Sequence, residues 1–264
     1  LRKKDGSWLK NKISFSPMYE YYNINGKFQW TFDNSILFLI INMEKSKDRW
    51  DVINNQFKHL KEKYNCDYIR VEGICGYNLE KDNYAREILK PKKDLLCKTF
   101  TCIESNEKWI YDGSIHKSFP GLHLNGHHGT KGLTLSNMKC FNLINKKYKN
   151  YNWYCILEDD SVINENIYNQ IINIANENKY SNDIILLDKR GRGGTCSILY
   201  NQRIINNVIL HMHPLSLFSI INEIKFKRGT NLWDWKLWSY LDNFNISNKT
   251  YPIVSSGNFK STIG

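Results

Sequence analysis

The stretch ILFLII at residues 36–41 is the strongest fold signal in this sequence, because it is a continuous apolar run of strand length. Such runs are typical of strands that are buried on both faces, as in parallel sheets. The segment from Trp50 to Tyr64 spaces its apolar residues three and four positions apart, which predicts an amphipathic helix. A second strand is predicted at residues 68–71, so the regular part of the sequence opens with a β-α-β unit.

The alternation of strands and helices resumes in the second half of the chain. Apolar residues at helical spacing from Leu135 to Ile144 predict a helix, and WYCIL at residues 153–157 predicts another buried strand. A helix is predicted from Ile163 to Ile174, followed by strands at residues 184–187 and 195–200. This order predicts an α/β fold with a mostly parallel central sheet flanked by helices.

Two parts of the chain lack this regularity. Residues 1–33 are polar, aromatic and rich in Lys and Asn, and we interpret them as an N-terminal lead-in or linker with a hairpin ending at residues 27–32. Residues 34–264 are the predicted main domain, and their number fits a single domain. Within it, residues 73–128 are charged and irregular, which is typical of binding loops.

The charge balance favours a polyanionic partner. The chain has 37 Lys and Arg residues against 26 Asp and Glu residues, a formal net charge of +11. A positive field suits a nucleotide diphosphate, a nucleic acid or an anionic membrane surface, and it does not choose among them. The basic residues are dispersed and no recognised nucleic-acid motif accompanies them, so we expect no nucleic-acid partner.

The cysteines and the hydropathy pattern bear on the compartment. The 7 cysteines are scattered, with no CxxC pair and no spacing typical of a zinc site. This pattern favours reduced thiols and therefore a reducing, cytoplasmic compartment. No apolar stretch approaches the roughly 20 residues that span a bilayer, so no transmembrane segment is expected in this chain.

An acidic triplet, Glu158-Asp159-Asp160, follows the predicted strand WYCIL directly. In open α/β sheets ligands bind beyond the carboxyl ends of the strands, and alternate side chains of an extended segment point the same way. Glu158 and Asp160 are therefore expected to face one site, with Asp159 facing away. Two carboxylates suit Mg²⁺ or Mn²⁺ whose other ligands are a diphosphate and water. The alternative is a solvated acidic turn that opens the next helix.

Four blocks of the sequence resemble one protein family in their order and separation. They are INMEKSKDRW at residues 41–50, VEGICG at residues 71–76, GTKGLTLSNMK at residues 129–139 and ILEDD at residues 156–160. Together they are similar to the motifs of glycosyltransferase family 25, which includes bacterial lipooligosaccharide galactosyltransferases and procollagen galactosyltransferases. Each block alone is weak, but their ordered sum is fairly specific.

The resemblance implies a GT-A fold, a UDP-sugar donor and an inverting transfer of galactose or glucose to a hydroxyl of a glycan or a hydroxylated protein. It implies Mn²⁺, or Mg²⁺, bound by Glu158 and Asp160. The residues that it places at the donor are Asn42, Arg49, Glu72, Ser136, Lys139 and Asp159.

Ordinary structural roles stay open for several of these positions. Arg49 is equally interpretable as a surface residue on the first helical turn, and Glu72 as a solvent-facing acid. A helix-surface role is common for a residue such as Lys139, and Gly129 and Gly132 are expected to shape a turn rather than to touch a ligand.

The expected catalytic base is Asp234, in LWDWK at residues 232–236. An acid between Trp233 and Trp235 is expected to be partly desolvated, which raises its pKa towards a useful value. The alternative is that these tryptophans and Trp238 are packing residues and that Asp234 caps a helix.

Two positions depart from the family pattern, and one loop is ambiguous. Asn137 stands where the family has histidine, and Lys131 replaces a usually acidic residue. Asparagine cannot carry a proton charge, so a catalytically inactive binding protein is a second hypothesis, and a basic nucleic-acid-binding module is a third. The stretch KRGRGG at residues 189–194 is basic and Gly-rich and could cradle phosphates. It lacks the ending of a P-loop, and a flexible solvated loop is the favoured interpretation.

Overall fold

The computed structural model describes residues 23–24, 27–28, 36–88, 99–101, 108–110, 128–213 and 233–257. The chain divides into two units, Leu1–Phe32 and Asp33–Gly264. In the first unit, strands β1 (Asn23–Ile24) and β2 (Lys27–Phe28) pair antiparallel. The expected hairpin segment therefore contributes Lys27 and Phe28 to a short ribbon, and residues 29–32 lie outside the described residues.

The second unit is a mixed α/β structure. Its strands are β3 (Ile36–Asn42), β4 (Asp67–Glu72), β5 (Thr99–Thr101), β6 (Lys108–Ile110), β7 (Trp153–Glu158), β8 (Ser161–Val162), β9 (Ile184–Asp188), β10 (Ser197–Asn201) and β11 (Asn248–Ser256). Its described helices are α1 (Lys47–Tyr64), α2 (Asn83–Ile88), α3 (His128–Lys147), α4 (Glu165–Glu177), α5 (Ile205–Met212) and α6 (Trp233–Asn243).

The apolar run at residues 36–41 forms the inner strand β3, as its composition predicts. β3 is buried along its whole length and pairs in parallel with β4 on one side and with β7 on the other. The seven-stranded sheet has the order β4-β3-β7-β10-β9-β11-β8. The predicted β-α-β opening and the buried strand at residues 153–157 are confirmed.

The expected mostly parallel sheet is not confirmed, because β10 lies between β7 and β9 and is antiparallel to both. The chain joins β9 to β10 through residues 189–196 alone, whereas a parallel crossover needs about a dozen residues or more. β11 pairs in parallel with β9 and antiparallel with β8. The carboxyl ends of five strands still meet at one edge of the sheet: β3, β4, β7, β9 and β11.

Helices cover both faces of the sheet because successive side chains of a strand point to opposite faces. Leu37, Leu39 and Ile41 of β3 pack in a core with residues of α3, α5 and α6. Ile36, Phe38 and Ile40 pack in a second core with residues of α1 and α4. The prediction of a central sheet flanked by helices is therefore confirmed.

The region that the sequence pattern leaves irregular contains some regular structure. Within residues 73–128, a 3-10 turn at Leu79–Lys81 leads into α2, and β5 pairs antiparallel with β6. α2 is short, but it buries Ala85 and Ile88 in the first core. No helix in the described ranges is both long and apolar enough to cross a bilayer.

Candidate active site

A cleft with a volume of about 360 Å³ lies at the edge where the five strands end. Its volume is at the lower end of the range for small-molecule sites. Each of these strands or the loop after it contributes to the lining, together with the first turns of α1 and α3. The lining includes three acids, three cations and four further residues: Glu158, Asp159, Asp160, Lys45, Arg49, Arg190, Gly76, Tyr77, Gly132 and Ser136.

Glu158 and Asp160 are acids of the cleft whose negative charges are poorly compensated. Burial and, after it, the charge of Asp160 raise the pKa of Glu158 from 4.5 to about 7. Burial and the charge of Asp159 likewise raise the pKa of Asp160. The Oδ1 atom of Asp160 is buried and has no hydrogen-bond partner among the described residues. Glu158 Oε1 accepts only a long hydrogen bond of 3.4 Å from the Thr195 hydroxyl within the same ranges.

Asp159 was expected to face away from the site, but it lines the cleft as well. It differs from its neighbours because the protein engages both of its carboxylate oxygens. Its Oδ2 accepts a 2.7 Å hydrogen bond from Asn42 Nδ2, and its Oδ1 pairs with Arg49 Nη1 at 3.1 Å. Asn42 is 1% exposed; it also donates to the Ser46 carbonyl at 3.0 Å and accepts from Arg70 Nη2 at 2.5 Å. The side chain of Asn42 thus uses both its N–H groups and its oxygen inside the protein, which makes it a support for Asp159.

The buried ion pair also decides between two interpretations of Arg49. Its side chain is only 8% exposed, so it is not a surface residue of the first helical turn. It lines the cleft beside the triplet, where its charge lowers the pKa of Asp160 against the larger effect of burial. A direct contact of Asn42, Arg49 or Asp159 with a donor stays a prediction.

The chemistry of Glu158 and Asp160 fits a divalent cation. The charge of Asp160 raises the pKa of Glu158, and one oxygen of Asp160 is buried without a hydrogen-bond partner among the described residues. A positive ion bound by both carboxylates would stabilise their charged forms. In the described part of the chain, no three His, Cys, Asp or Glu side chains converge as a metal-binding set. Mg²⁺ and similar ions often use one or two carboxylates and take their other ligands from phosphates and water. The pair therefore suits an ion that binds together with a phosphorylated ligand.

Ser136 and Gly132 fasten α3 to the loop that follows β4. Ser136 Oγ accepts from the Ile74 backbone N–H at 2.8 Å and donates to the Gly132 carbonyl at 2.6 Å. A Cβ atom at Gly132 would overlap the Ile74 carbonyl oxygen, and one at Gly76 would overlap the His128 carbonyl oxygen. Gly132 and Gly76 therefore allow helix and loop to touch. Gly129 and Gly132 lie within α3 and line the cleft, so the expectation that they shape a turn is wrong. Ser136 lines the cleft, but its hydroxyl already serves this junction.

The same loop places an aromatic side chain at the rim of the cleft. Tyr77 is 59% exposed and stacks on His128 with ring centroids 4.0 Å apart. His128 begins α3, and its Nδ1 lies 3.2 Å from the Gly76 carbonyl oxygen. The Tyr77 ring at the rim of the cleft is therefore packed against His128 and remains partly exposed.

Glu72 and Lys139 lie beside the cleft without contributing to its described lining. Lys139 Nζ donates a 3.0 Å hydrogen bond to the backbone carbonyl of Glu72, and the side chain of Glu72 is exposed. Their predicted contacts with a donor stay predictions.

The two departures from the family pattern also lie off the cleft lining that the described residues form. Asn137 is 4% exposed and donates to the Leu133 carbonyl one turn earlier at 3.0 Å. Lys131 is 7% exposed, and burial lowers the pKa of its ammonium group. Asn137 thus acts as a helix residue in this structure, and its place gives no support to an inactive site.

Asp234 lies in the first turn of α6 and is half-buried. Trp233 beside it is 1% exposed and packs in the first core, with its ring centroid 5.9 Å from that of Phe141. This part of the packing alternative is confirmed. Asp234 is not among the described residues that line the cleft, and its role as the base stays a prediction.

Sequence reasoning missed Asp188, and it placed its partner Arg190 in a loop interpreted as flexible and solvated. Asp188 ends β9, is 1% exposed, and accepts hydrogen bonds from Arg190 Nε at 3.0 Å and from Arg190 Nη2 at 2.7 Å. Its carboxylate also accepts from the backbone N–H groups of Arg190 and Cys196 at 2.8 and 2.9 Å. Burial alone would raise the pKa of Asp188, but these hydrogen bonds lower it to about 2. The signal was present, because Asp188 follows an apolar strand just as Glu158 does.

Comparisons with known proteins bear on the whole domain. The family model described as glycosyltransferase family 25 (LPS biosynthesis protein) matches residues 36–194. The crystal structure of a glycosyltransferase involved in the glycosylation of the major capsid of PBCV-1 is similar with a TM-score of 0.48 and 8% identity, over 86% of this chain and 94% of that chain. Mouse xyloside xylosyltransferase 1 in its apo form has a TM-score of 0.33 and 11% identity, over 87% of each chain. No curated protein matches the sequence. The family match covers more than half of the chain and includes the strands that carry the acidic triplet and Asp188.

Proposed function

The chain belongs to glycosyltransferase family 25, and we propose that it moves a hexose from a UDP-sugar to a hydroxyl group with inversion at the anomeric carbon. The donor sugar we propose is galactose or glucose, and the acceptor is a glycan or a hydroxylated protein. The fold we propose for this reaction is of the GT-A type. The observation that carries the proposal is the pair Glu158 and Asp160, whose raised pKa values and orphaned oxygen lie in the cleft at the edge where five strands end.

Inverting transfer is a single in-line displacement. The acceptor oxygen forms a bond to the anomeric carbon while the bond from that carbon to the β-phosphate oxygen breaks. The bonding pair leaves with UDP, and the acceptor proton passes to a base, for which Asp234 is the candidate. Negative charge therefore grows on the diphosphate as the reaction proceeds, and the protein must stabilise it there.

We propose that Glu158 and Asp160 hold Mn²⁺ or Mg²⁺ at this place. What the ion would supply, when bound, is positive charge against the leaving diphosphate. Asp159 supports the two acids on either side of it in the chain, because Asn42 and Arg49 hold its carboxylate in place. Arg49 balances the charge of Asp159, so the charges left for the ion are those of Glu158 and Asp160.

The proposal is tested by screening a panel of UDP-sugars for Mn²⁺-dependent release of UDP. The wild-type chain should release UDP from at least one donor, and Asp160→Asn should lose this release while keeping the thermal unfolding midpoint. Asp242→Asn is the matched control, because Asp242 is 61% exposed and belongs to a loose ion pair with Arg192 outside the described cleft lining. Wild-type activity that survives unchanged in Asp160→Asn would refute the proposed metal site.

The same preparation separates the two other hypotheses. Thermal stabilisation by UDP with Mn²⁺ but no release from any donor would indicate an inactive homologue. Salt-sensitive binding to random oligonucleotides that UDP does not affect would indicate a nucleic-acid-binding module.

A further inference from the structure

The described cations of the cleft differ in how much of their charge a ligand can reach. The cleft is lined by Lys45, Arg49 and Arg190. The Arg49 side chain is 8% exposed and paired with Asp159, whereas the Arg190 side chain is 53% exposed. Lys45 is exposed, but an ammonium on a flexible stem is strongly hydrated and poorly oriented compared with a fixed guanidinium. Arg190 is thus the oriented guanidinium that remains open to the cleft.

The way Arg190 meets Asp188 leaves one edge of the guanidinium for another anion. The contact uses the side edge of the group, Nε at 3.0 Å from Oδ1 and Nη2 at 2.7 Å from Oδ2. A guanidinium has five N–H groups in a planar fork, so this contact engages two of them. The end edge, formed by Nη1 and the second N–H of Nη2, has the geometry that matches two phosphate oxygens.

Asp188 and Gly194 hold Arg190 in this orientation. Asp188 is 1% exposed and is itself fixed by the backbone N–H groups of Arg190 and Cys196. A Cβ atom at Gly194 would overlap both Asp188 Oδ2 and Arg190 Nε, so only glycine leaves room for the pair. The loop that the sequence pattern presents as flexible and solvated therefore contains a preorganised guanidinium.

The surrounding charges explain why a cation is needed here. The positive charge of Arg190 acts on both Glu158 and Asp160, lowering their pKa values against the larger effect of burial. An incoming diphosphate would meet two carboxylates of its own sign, and a guanidinium next to them offsets this repulsion even before a metal ion binds.

We infer that Arg190 binds the diphosphate of the donor and stabilises it as it leaves, with Asp188 and Gly194 as the residues that position it. This inference rests on the proposed function, since it presupposes a nucleoside-diphosphate donor in the cleft. Arg190 contacts the β-phosphate oxygen that receives the bonding pair when the sugar–phosphate bond breaks. Its contribution is expected to increase from the bound donor to the transition state.

The test compares the binding of UDP and of uridine, by calorimetry, with Mn²⁺ and with EDTA. Arg190→Gln should weaken UDP binding by roughly ten- to a hundredfold, both with and without metal, because hydrogen bonds to charged groups are lost. Uridine binding should change by less than about twofold, since uridine has no phosphate. With a donor that is turned over, kcat should fall more than KM rises.

Two further variants separate a specific contact from a general effect of the loop. Gly194→Ala removes no charge, and it should weaken UDP binding in the same direction by displacing Arg190. Arg192→Gln is the matched control: Arg192 is an exposed arginine of the same loop that lies over the Trp238 ring and pairs with Asp242, and UDP binding should stay unchanged. Thermal unfolding midpoints show whether each variant is folded. If Gly194→Ala does not fold, the result for Arg190→Gln alone decides the test.

The outcomes distinguish this inference from the proposed function. If the wild-type chain binds UDP and releases it from a UDP-sugar while Arg190→Gln does both within twofold of wild type, the inference is wrong and the function stands. An equal loss of UDP and uridine binding would also overturn it, because the variant would then have damaged the cleft as a whole. If the wild-type chain binds no UDP and uses no UDP-sugar, both the function and the inference fail.

Discussion

Strands β7 and β9 end at the same edge of the sheet, and each ends in an acid, yet the two carboxylates have opposite electrostatics. The pKa of Glu158, at the end of β7, is raised to about 7, mainly by burial and by the charge of Asp160. The pKa of Asp188, at the end of β9, is lowered to about 2, because hydrogen bonds from Arg190 and Cys196 outweigh the effect of burial. The charge of Glu158 is poorly compensated, whereas Asp188 accepts four hydrogen bonds.

This difference shows that its position at the end of a strand brings an acid to the edge of the sheet but does not determine the role of its carboxylate. Asp188 has a cationic partner two residues along the chain and becomes part of the framework. Glu158 has a second acid two residues along, and this pair is the place that we propose for an external cation. The partner that the loop supplies after the strand therefore separates a structural acid from a ligand-binding acid.

The largest effect is expected from removing the uncompensated acid. Glu158→Gln should lower Mn²⁺-dependent UDP release by at least about a hundredfold, because the charge that holds the ion is lost. The variant should unfold at the same temperature as the wild type or higher, because a buried, repelled charge is removed. Turnover assays beside differential scanning calorimetry check both parts, and a strong loss of stability would break the comparison.

Removing the compensated acid should instead cost stability. Asp188→Asn should lower the free energy of unfolding by about 2 kcal/mol, because Arg190 and two backbone N–H groups lose a charged acceptor. Urea denaturation at neutral pH measures the change. Asp242→Asn is the control, since its pair with Arg192 is exposed on both sides and should contribute less than about 0.5 kcal/mol. Equal values for the two variants would show that Asp188 is not the framework acid described here.

The pH dependence should differ in sign between the two strand ends. Glu158 is protonated in the folded metal-free protein up to about pH 7 but only up to about 4.5 when unfolded, so its contribution to stability falls as the pH rises through that window. The stabilisation from Asp188 is present above about pH 4 and is lost as the pH falls towards 2.

Metal binding should depend on the protonation state of Glu158. Since the ion displaces the Glu158 proton, the Mn²⁺ affinity should weaken by about tenfold for each pH unit below 7. Isothermal titration calorimetry at pH 5.5, 6.5 and 7.5 measures the slope. An affinity that is flat between pH 5.5 and 7.5 would mean that the ion does not bind at Glu158.

The smallest effect is expected at a third strand-end acid. Glu72 ends β4, is exposed, and is not among the cleft-lining residues in the described ranges. Glu72→Gln should therefore change KM for the donor by less than about twofold, as measured in the same UDP-release assay. A tenfold rise in KM would support the donor contact expected from the family resemblance and would add Glu72 to the site.

Much of the fold is legible in the sequence because it depends on single segments. The apolar run at residues 36–41 is an inner strand, and the helical spacing from Trp50 to Tyr64 is a helix that buries Ile53 and Phe57. The direction of β10 is not legible, because a strand of buried residues has the same composition whichever way it runs. The length of the connection at residues 189–196 was the available signal for an antiparallel strand.

Only part of the candidate site could be predicted from the sequence. The position of Glu158 and Asp160 beyond a buried strand follows from local pattern. The expectation that Asp159 faces away from the site does not hold, because Asp159 lines the same cleft. The burial of Arg49 and the engagement of Asn42 depend on contacts across more than a hundred residues of sequence, to Asp159.

The sequence by itself therefore determined where the main buried strands and several of the helices beside them lie, and that Glu158 and Asp160 follow one of these strands, because these features depend on apolar spacing within one segment. Only the tertiary structure decided which acids are compensated. The charge on a carboxylate is set by neighbours that other strands and loops bring within a few ångströms, and by how far the packed core keeps water away. The basic loop after β9 is an example. Its composition is typical of a solvated turn, but the tertiary structure places its Arg190 in the cleft beside Glu158.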